Sequence, residues 1–237
     1  MAGETEVILV KTMTETKKII VVAPHPDDET LGCGGTLLKY KSVGAEIQWL
    51  IVTAMVKEAG YTQAQIDKRE SEMAAVSEAY GFSKVHQLKI PTGTLSDFPE
   101  GQLIEQISAI IQSEEPDCVF TNLRHDAHSD HRVTFDATLS ACKSFRASFV
   151  KRLLAYETVS ETEFGLRPHA NSFTPNCYES IEGFLDKKLS ILRLFESEIG
   201  DFPFPRSLEV VEALAKIRGS QCNARAAEAF LLIKEIR

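Results

Sequence analysis

The residues best suited to chemistry lie near the beginning of the chain, where a short apolar run gives way to the sequence H-P-D-D-E at residues 25–29. Four of these five positions are ionisable: His25, Asp27, Asp28 and Glu29. Carboxylates this close together raise one another's pKa unless a positive charge lies among them, and a bound cation supplies that charge. The segment therefore predicts a divalent metal site at the end of a strand.

A second polar cluster follows a later predicted strand. Its members are Arg124, His125, Asp126, His128, Asp130 and His131. Two imidazoles and one carboxylate, from His25, Asp28 and His131, would give the three-ligand arrangement of a catalytic zinc site, in which water takes the fourth position. Asp27 would then be free to act as the general base. We predict one Zn²⁺ per chain, with other divalent ions as alternatives.

Simpler structural explanations compete with the metal site. Carboxylates in the first turn of a helix are favoured by the helix dipole, which accounts for Glu29 and fits Asp27 but leaves His25 unexplained. A single histidine is most often structural. The metal prediction therefore depends on the two clusters together.

Strands and helices alternate through the first two thirds of the chain, and this alternation has to bring the clusters together. The predicted strands are Lys18–Ala23, Glu46–Thr53, Val85–Leu88, Asp117–Thr121 and Val150–Tyr156. The predicted helices between them are Thr30–Ser42, Gln63–Tyr80, Gln102–Gln112 and His131–Ser144. The spacing predicts a Rossmann-like α/β fold with a mostly parallel sheet and helices on both faces. In the strand order 3-2-1-4-5, the clusters after strands 1 and 4 would meet where ligands bind in such sheets.

The remaining segments are less regular. An edge strand is expected at Glu6–Val10, a loop at Glu157–Pro175, helices at Ile181–Glu198 and Ser207–Gly219, and either a helix or a short strand at Ala224–Ile236. No linker is evident. We predict one domain over residues 1–237, with a core at about 17–156 and C-terminal loop and helices at about 157–237.

Composition narrows the class of protein. The hydrophobic share of 43% and charged share of 25% are ordinary for a globular protein. The net charge of -8 and the lack of basic runs argue against nucleic acid as a partner. Apolar runs such as Trp49–Val52 fall short of the roughly 18 residues of a membrane helix, and no secretory signal is apparent. We therefore expect a cytoplasmic protein without stable membrane association.

Glycine and cysteine patterns suggest no other cofactor site. Gly32, Gly34 and Gly35 follow the first cluster, but a dinucleotide-binding turn would place its glycines between strand and helix. We expect them instead to allow close packing of the helix. The five cysteines contain no C-x-x-C pair, so neither a disulfide framework nor a thiolate zinc site is indicated.

The sequence resembles the LmbE-like, or PIG-L, family of zinc-dependent N-acetylglucosaminyl de-N-acetylases. The family pattern A-H-P-D-D-E is present as A-P-H-P-D-D-E at residues 23–29, and H-x-D-H as H-S-D-H at residues 128–131. Looser matches include Arg69 with Glu72, Lys188, and Arg218 with Gly219. The resemblance implies a Rossmann-like sandwich that hydrolyses the acetamide of a small amino-sugar substrate. A homo-oligomer is also compatible with it, because relatives often assemble in that way.

The resemblance also implies roles for individual residues. His25, Asp28 and His131 correspond to metal ligands, and Asp27 to the general base. His128 corresponds to the residue that stabilises the oxyanion or acts as acid, and Asp130 to the residue that orients this histidine. We expect Asp130 to keep His128 cationic. Two arginines, Arg69 and Arg124, are candidates for substrate binding, although either could instead form a structural ion pair.

One departure from the family and two rival functions remain open at this point. Family members often carry T-x-G-E-x-G after the second strand, whereas residues 53–60 read T-A-M-V-K-E-A-G in a loop expected to border the pocket. A two-metal phosphoesterase would need a further set of bridging carboxylates, for which Asp126 and Glu29 are candidates. A non-catalytic Rossmann-like module with a structural metal would need four protein ligands.

Overall fold

The computed structural model describes residues 16–165 and 173–237. The predicted edge strand at Glu6–Val10 and part of the predicted loop at Glu157–Pro175 lie outside these residues. Within the described ranges, no helix combines the length and apolar character needed to cross a membrane.

Seven strands form a single sheet in the described part of the chain, and six helices surround it. The strands are β1 (Lys18–Ala23), β2 (Glu46–Ala54), β3 (Lys84–Pro91), β4 (Cys118–Asn122), β5 (Arg152–Tyr156), β6 (Cys177–Ser180) and β7 (Ala227–Glu235). The helices are α1 (Asp28–Ser42), α2 (Gln63–Tyr80), α3 (Glu100–Glu114), α4 (Ser129–Ala141), α5 (Leu185–Leu192) and α6 (Leu208–Gln221).

The sheet has the order β3-β2-β1-β4-β5-β7-β6. The first five of these strands are parallel, in the predicted order, whereas β7 pairs antiparallel with β5 and β6. Rossmann-like α/β architecture is therefore confirmed. Because β1 and β4 are neighbours, the polar clusters that follow them lie side by side at the point where the strand order reverses.

Hydrophobic cores cover both faces of the sheet. Along β1, Ile19 and Val21 face a core that includes residues of α1, α2 and α5, while Ile20 and Val22 face a core with residues of α3 and α4. Successive side chains of a strand point to opposite faces, and strands buried on both faces are the rule in parallel sheets. The two cores fix the end of β1, and with it the H-P-D-D-E segment at residues 25–29.

The C-terminal third departs from the predictions. The structure places a short strand, β6, at Cys177–Ser180 and limits the predicted helix Ile181–Glu198 to Leu185–Leu192. The last segment is strand β7, which decides between the two predicted alternatives of helix and strand. The two strands have one cause: β7 pairs with the edge of β5, and β6 then pairs with β7, which are tertiary contacts that local sequence patterns do not report.

Buried side chains from α5 and β7 form hydrogen bonds with the backbone of helix α1. The Leu31 carbonyl accepts a hydrogen bond from Nζ of Lys188 at 2.8 Å, while the Gly35 and Thr36 amides donate to the Glu228 carboxylate at 2.9 and 2.7 Å. Lys188 and Glu228 also pair with each other at 2.6 Å, and both are buried. An ion pair from α5 and β7 thus contacts the backbone of the helix that follows the H-P-D-D-E segment.

Close packing explains the glycines of this helix, as predicted. A Cβ atom at Gly32 would lie 2.2 Å from the Tyr156 ring of β5, and one at Gly35 would lie 2.7 Å from Ile181. Neither position has room for a side chain.

Candidate metal centre

Three predicted ligands meet at the ends of β1 and β4. Nδ1 of His25 lies 3.4 Å from Oδ2 of Asp28, Nε2 of His131 lies 3.3 Å from the same oxygen, and the two nitrogens are 3.3 Å apart. Tetrahedral ligands at the usual zinc bond lengths of about 2.0–2.1 Å are separated by about 3.3–3.4 Å. The spacing and the donor set of two imidazoles and one carboxylate therefore fit a zinc-sized ion.

Each of the two predicted ligand histidines is oriented by its own buried carboxylate. Nδ1 of His131 lies 2.7 Å from Oδ2 of Asp126, and Nε2 of His25 lies 3.2 Å from Oδ2 of Asp130. When these nitrogens carry the protons, Nε2 of His131 and Nδ1 of His25 present lone pairs toward each other and toward Asp28. Carboxylate–histidine pairs of this kind fix the tautomer of metal ligands and increase their basicity.

The electrostatics of the cluster favour a positive charge at its centre. Burial alone would lower the pKa of His25, but hydrogen bonds to Asp130 and Asp28 raise it to about 9. Burial likewise opposes the charge on His131, yet Asp28 and Asp126 raise its pKa well above the usual value. Carboxylates that hold protons on two buried imidazoles will also stabilise a cation that replaces those protons.

Asp27 lies beside the ligands with a strained backbone. Its φ of 147° lies in a region that residues other than glycine rarely adopt, and such strain is concentrated at functional sites. Burial and the neighbouring Asp28 charge raise the pKa of the Asp27 carboxyl to about 7. No hydrogen-bond donor contacts its carboxylate among the residues that the structure describes, so these oxygens are available to a molecule in the adjacent cavity.

The structure corrects the expectation about Asp130 and His128. His128 caps helix α4, where its Nδ1 accepts a hydrogen bond from the Asp130 backbone amide at 3.1 Å, while the Asp130 carboxylate is 3.9 Å from that nitrogen. Burial and the proximity of His25 lower the pKa of His128 to about 4. Asp130 therefore does not keep His128 cationic. The ring is neutral, with its proton on Nε2.

Backbone contacts fix the segments that carry the ligands. Before the first ligand, the Pro24 carbonyl accepts hydrogen bonds from both the amide and the hydroxyl of Thr53, at 3.0 and 2.8 Å. After it, the Pro26 carbonyl accepts one from Arg69 at 2.8 Å. In the second cluster, Nδ2 of Asn122 donates to the carbonyl of His131 at 2.7 Å.

The two predicted substrate-binding arginines have different surroundings. Arg69 borders the cavity, but its buried guanidinium also pairs with Glu72 and Glu198. Its role in substrate binding stays a prediction. Arg124 is not among the described residues that line the cavity. It forms a bidentate pair with Asp136 at 2.6 and 2.9 Å, in which both side chains are partly exposed to solvent. This pair fits the predicted alternative of a structural ion pair, and a role of Arg124 in substrate binding stays a prediction.

The cavity beside the metal centre has a volume of about 470 Å³. Asp27, Asp28, His25 and His128 lie at one side. An apolar wall comes from the β2–α2 loop and from α2, with Met55, Val56, Tyr61, Ile66 and Met73. As predicted, the loop that departs from the family pattern borders the pocket.

Sequence reasoning missed a further part of the cavity, the turn after β5. Ser160 and Glu161 line the cavity from this turn, and Thr162 donates to Oδ1 of Asp126 at 2.7 Å. Arg206, from the segment before α6, also borders the cavity and donates to Ser160 at 2.9 Å. No motif marks these residues, because only the fold brings the turn next to the metal centre.

Comparison with known proteins agrees with this architecture. The model of the PIG-L family, described as GlcNAc-PI de-N-acetylase, matches residues 20–142, just over half of the chain. The chain belongs to the PIG-L family. The matched region includes both polar clusters.

Relatives and solved structures extend the similarity along most of the chain. The diacetylchitobiose deacetylase of Thermococcus kodakarensis is 24% identical over 238 residues, covering 94% of this chain and 85% of the relative. The conserved protein TT1542 from Thermus thermophilus has a TM-score of 0.72 and 28% identity, over 92% of this chain and 96% of its own. The N,N'-diacetylchitobiose deacetylase of Pyrococcus horikoshii has a TM-score of 0.74 at 20% identity, over 94% of this chain and 85% of its own, which shows a shared fold.

Proposed function

We propose that this PIG-L family protein is a metal-dependent hydrolase that removes the acetyl group from an N-acetylglucosamine-type amino sugar or its glycoside. The observation that carries the proposal is the joint geometry of His25, Asp28 and His131 with the available carboxylate of Asp27 at one side of a cavity. The Thermococcus relative, named a diacetylchitobiose deacetylase, supports the same class of reaction.

His25, Asp28 and His131 would hold the ion, and zinc is the metal that we propose for this donor set. When bound, such an ion supplies Lewis-acid polarisation of the acetyl carbonyl and makes water more acidic. The buried carboxylates of Asp126 and Asp130 would keep the two histidines in the tautomers that bind metal.

Asp27 is proposed to move the protons of the reaction. Its carboxylate takes a proton from the attacking water as the new bond forms between the water oxygen and the acetyl carbon. It then returns a proton to the nitrogen as the C–N bond breaks, so that acetate and a free amine leave. A pKa near 7 suits a group that must both accept and release a proton near neutral pH.

His128 is proposed to stabilise the negative charge that develops on the acetyl oxygen. Because its Nδ1 accepts the Asp130 amide, the proton of the neutral ring resides on Nε2, and this N–H is the available donor. Removal of such a donor from other enzymes has cost about 3–4 kcal/mol of transition-state stabilisation. A neutral donor still serves, since the oxyanion needs a hydrogen bond rather than a full charge.

The two rival functions find less support in the described residues. A second group of donors, His25, His128 and Asp130, does lie close together. However, the Asp130 oxygens already accept the Gly93 and Leu95 amides at 2.7 and 3.1 Å, and no carboxylate bridges the two groups as a two-metal phosphoesterase requires. A structural site would need a fourth protein ligand, whereas the ligands Asp28 and His25 border the cavity.

The decisive test is acetate release from a panel of N-acetylated sugars and glycosides by protein loaded with zinc. We expect equal amounts of acetate and free amine, loss of turnover after chelation, and recovery when zinc is restored. A metal-loaded protein that releases phosphate from phosphoesters but no acetate from any acetamide would overturn the proposal.

A further inference from the structure

The turn after β5 places a second unpaired carboxylate in the cavity. Among the carboxylates that line this cavity, Asp28 contacts the ligand histidines, Glu198 pairs with arginines, and Glu58 and Glu70 are exposed to solvent. That leaves Asp27 and Glu161, which are at least partly buried and whose oxygens contact no donor within residues 16–165 and 173–237. The proposed function uses Asp27 but gives no role to Glu161.

The Glu161 backbone is held by contacts on both sides. Its carbonyl accepts a hydrogen bond from the Ala127 amide at 3.0 Å, and its amide donates to the Thr158 carbonyl at 3.1 Å. The next residue, Thr162, is bonded to Asp126, which in turn orients the metal ligand His131. Glu161 is therefore kept in fixed relation to the metal centre.

The residue before Glu161 is strained, which also indicates a functional turn. Ser160 adopts a φ of 77°, a left-handed conformation without the freedom of glycine. Its amide donates to Glu163 at 2.6 Å, and its hydroxyl accepts from Arg206 at 2.9 Å. Such conformations persist where the surrounding contacts impose them, and they are concentrated at ligand-binding sites.

A partly buried carboxylate that has no donor from the protein can accept hydrogen bonds from a molecule in the cavity. We propose that Glu161 is a specificity-determining residue that accepts hydrogen bonds from hydroxyl groups of the sugar ring while the acetamide lies at the metal centre. This inference rests on the proposed function for the orientation of the sugar. The chemical class that Glu161 selects is a polyhydroxylated ring, because hydroxyl groups are the donors that a neutral sugar offers.

Binding can be measured separately from turnover. The Asp27→Asn variant should turn over little substrate, so calorimetry on this background measures binding of N-acetylglucosamine. We expect Glu161→Ala to reduce the affinity by about 10- to 100-fold. Glu161→Gln retains an acceptor oxygen and should reduce it by less. The matched control is Glu163→Gln. It removes the same charge from the same turn and keeps an acceptor for Ser160, so affinity should not change.

Turnover should identify the hydroxyl group concerned. We expect wild-type protein to lose about 10- to 100-fold in kcat/KM on one analogue of N-acetylglucosamine that lacks a single ring hydroxyl. With Glu161→Ala, that analogue and the parent sugar should be cleaved equally well, and bound zinc per chain should be unchanged. A purely structural role would instead reduce kcat/KM on all the sugars by the same factor.

The outcomes separate the inference from the proposed function. If wild-type protein binds the sugar and Glu161→Ala weakens binding while no acetamide is hydrolysed, the role of Glu161 holds and the hydrolase proposal fails. If acetate is released but Glu161→Ala binds and discriminates as wild type does, the role of Glu161 is wrong and the hydrolase proposal stands. Failure of the Asp27→Asn protein to bind the sugar would also contradict the inference.

Discussion

Nε2 of His25 lies 3.2 Å from Oδ2 of Asp130, whereas Nδ1 of His128 is 3.9 Å from that oxygen. The carboxylate of the H-S-D-H motif therefore orients a proposed metal ligand from the other cluster, whereas the hydrogen bond from Asp130 to His128 comes from its backbone amide. A single residue thus links the two motifs: its side chain supports His25 and its backbone sets the tautomer of His128.

Asp130→Asn should weaken metal binding. The Gly93 amide and Nε2 of His25 both face Oδ2 of Asp130, so an asparagine can keep an oxygen there but supplies no negative charge. His25 then becomes a less basic ligand, and we expect zinc affinity to fall by about 10- to 100-fold. Competition with a chromophoric chelator measures this change. His128→Gln is the comparison: it should reduce kcat and leave zinc affinity near wild type. Equal zinc affinity in Asp130→Asn and wild type would show that this carboxylate does not support His25.

Asp27→Asn should reduce turnover without loss of metal. The amide cannot accept the proton from water, and general-base catalysis typically contributes about 10²- to 10⁴-fold to the rate. The volume and the hydrogen bond from the Asp27 amide to Glu29 are kept. The measurement is kcat on an N-acetylated sugar together with zinc content per chain. Turnover near wild type with zinc still bound would rule out Asp27 as the base.

Sequence patterns were sufficient to predict the core of the fold and that His25, Asp28 and His131 lie together. The alternation of buried strands and amphipathic helices predicts a parallel sheet with β1 beside β4. This adjacency brings the two polar clusters together. The residue types H-P-D-D and H-x-D-H then indicate a metal. Each of these inferences depends on local spacing.

Contacts between distant segments were not predictable in the same way. Whether the Asp130 carboxylate supports His25 or His128 depends on a difference of less than 1 Å. Its Oδ2 lies 3.2 Å from the His25 nitrogen and 3.9 Å from the His128 nitrogen. The turn that carries Glu161 is held beside the cavity by contacts with distant residues, including the hydrogen bonds from Thr162 to Asp126 and from the Ala127 amide to Glu161. Likewise, β6 forms because β7 offers it an edge, a tertiary contact that propensity does not encode.

The two arginines proposed from sequence should respond differently to substitution by lysine. Arg69 supports the Pro26 carbonyl of the H-P-D-D-E segment, and a lysine cannot reproduce its several directed N–H groups. We expect Arg69→Lys to lower kcat/KM by up to about 100-fold, the cost of a displacement near 1 Å at a reacting centre. Arg124→Lys should leave kcat/KM unchanged and alter the free energy of unfolding by less than about 1 kcal/mol, as for other surface pairs. A larger loss of kcat/KM in Arg124→Lys would support a role of Arg124 in substrate binding.

Lys188→Met should destabilise the fold, because it removes one partner of a buried ion pair. Glu228 would keep its charge, and the Leu31 carbonyl of α1 would lose its donor. We expect the free energy of unfolding to fall by about 3–5 kcal/mol, measured by denaturant titration at saturating zinc. The neighbouring Lys187 is exposed, so Lys187→Met is a matched control that should change stability little. If both variants lose the same small amount of stability, the contacts of the Lys188–Glu228 ion pair with the α1 backbone do not stabilise the fold.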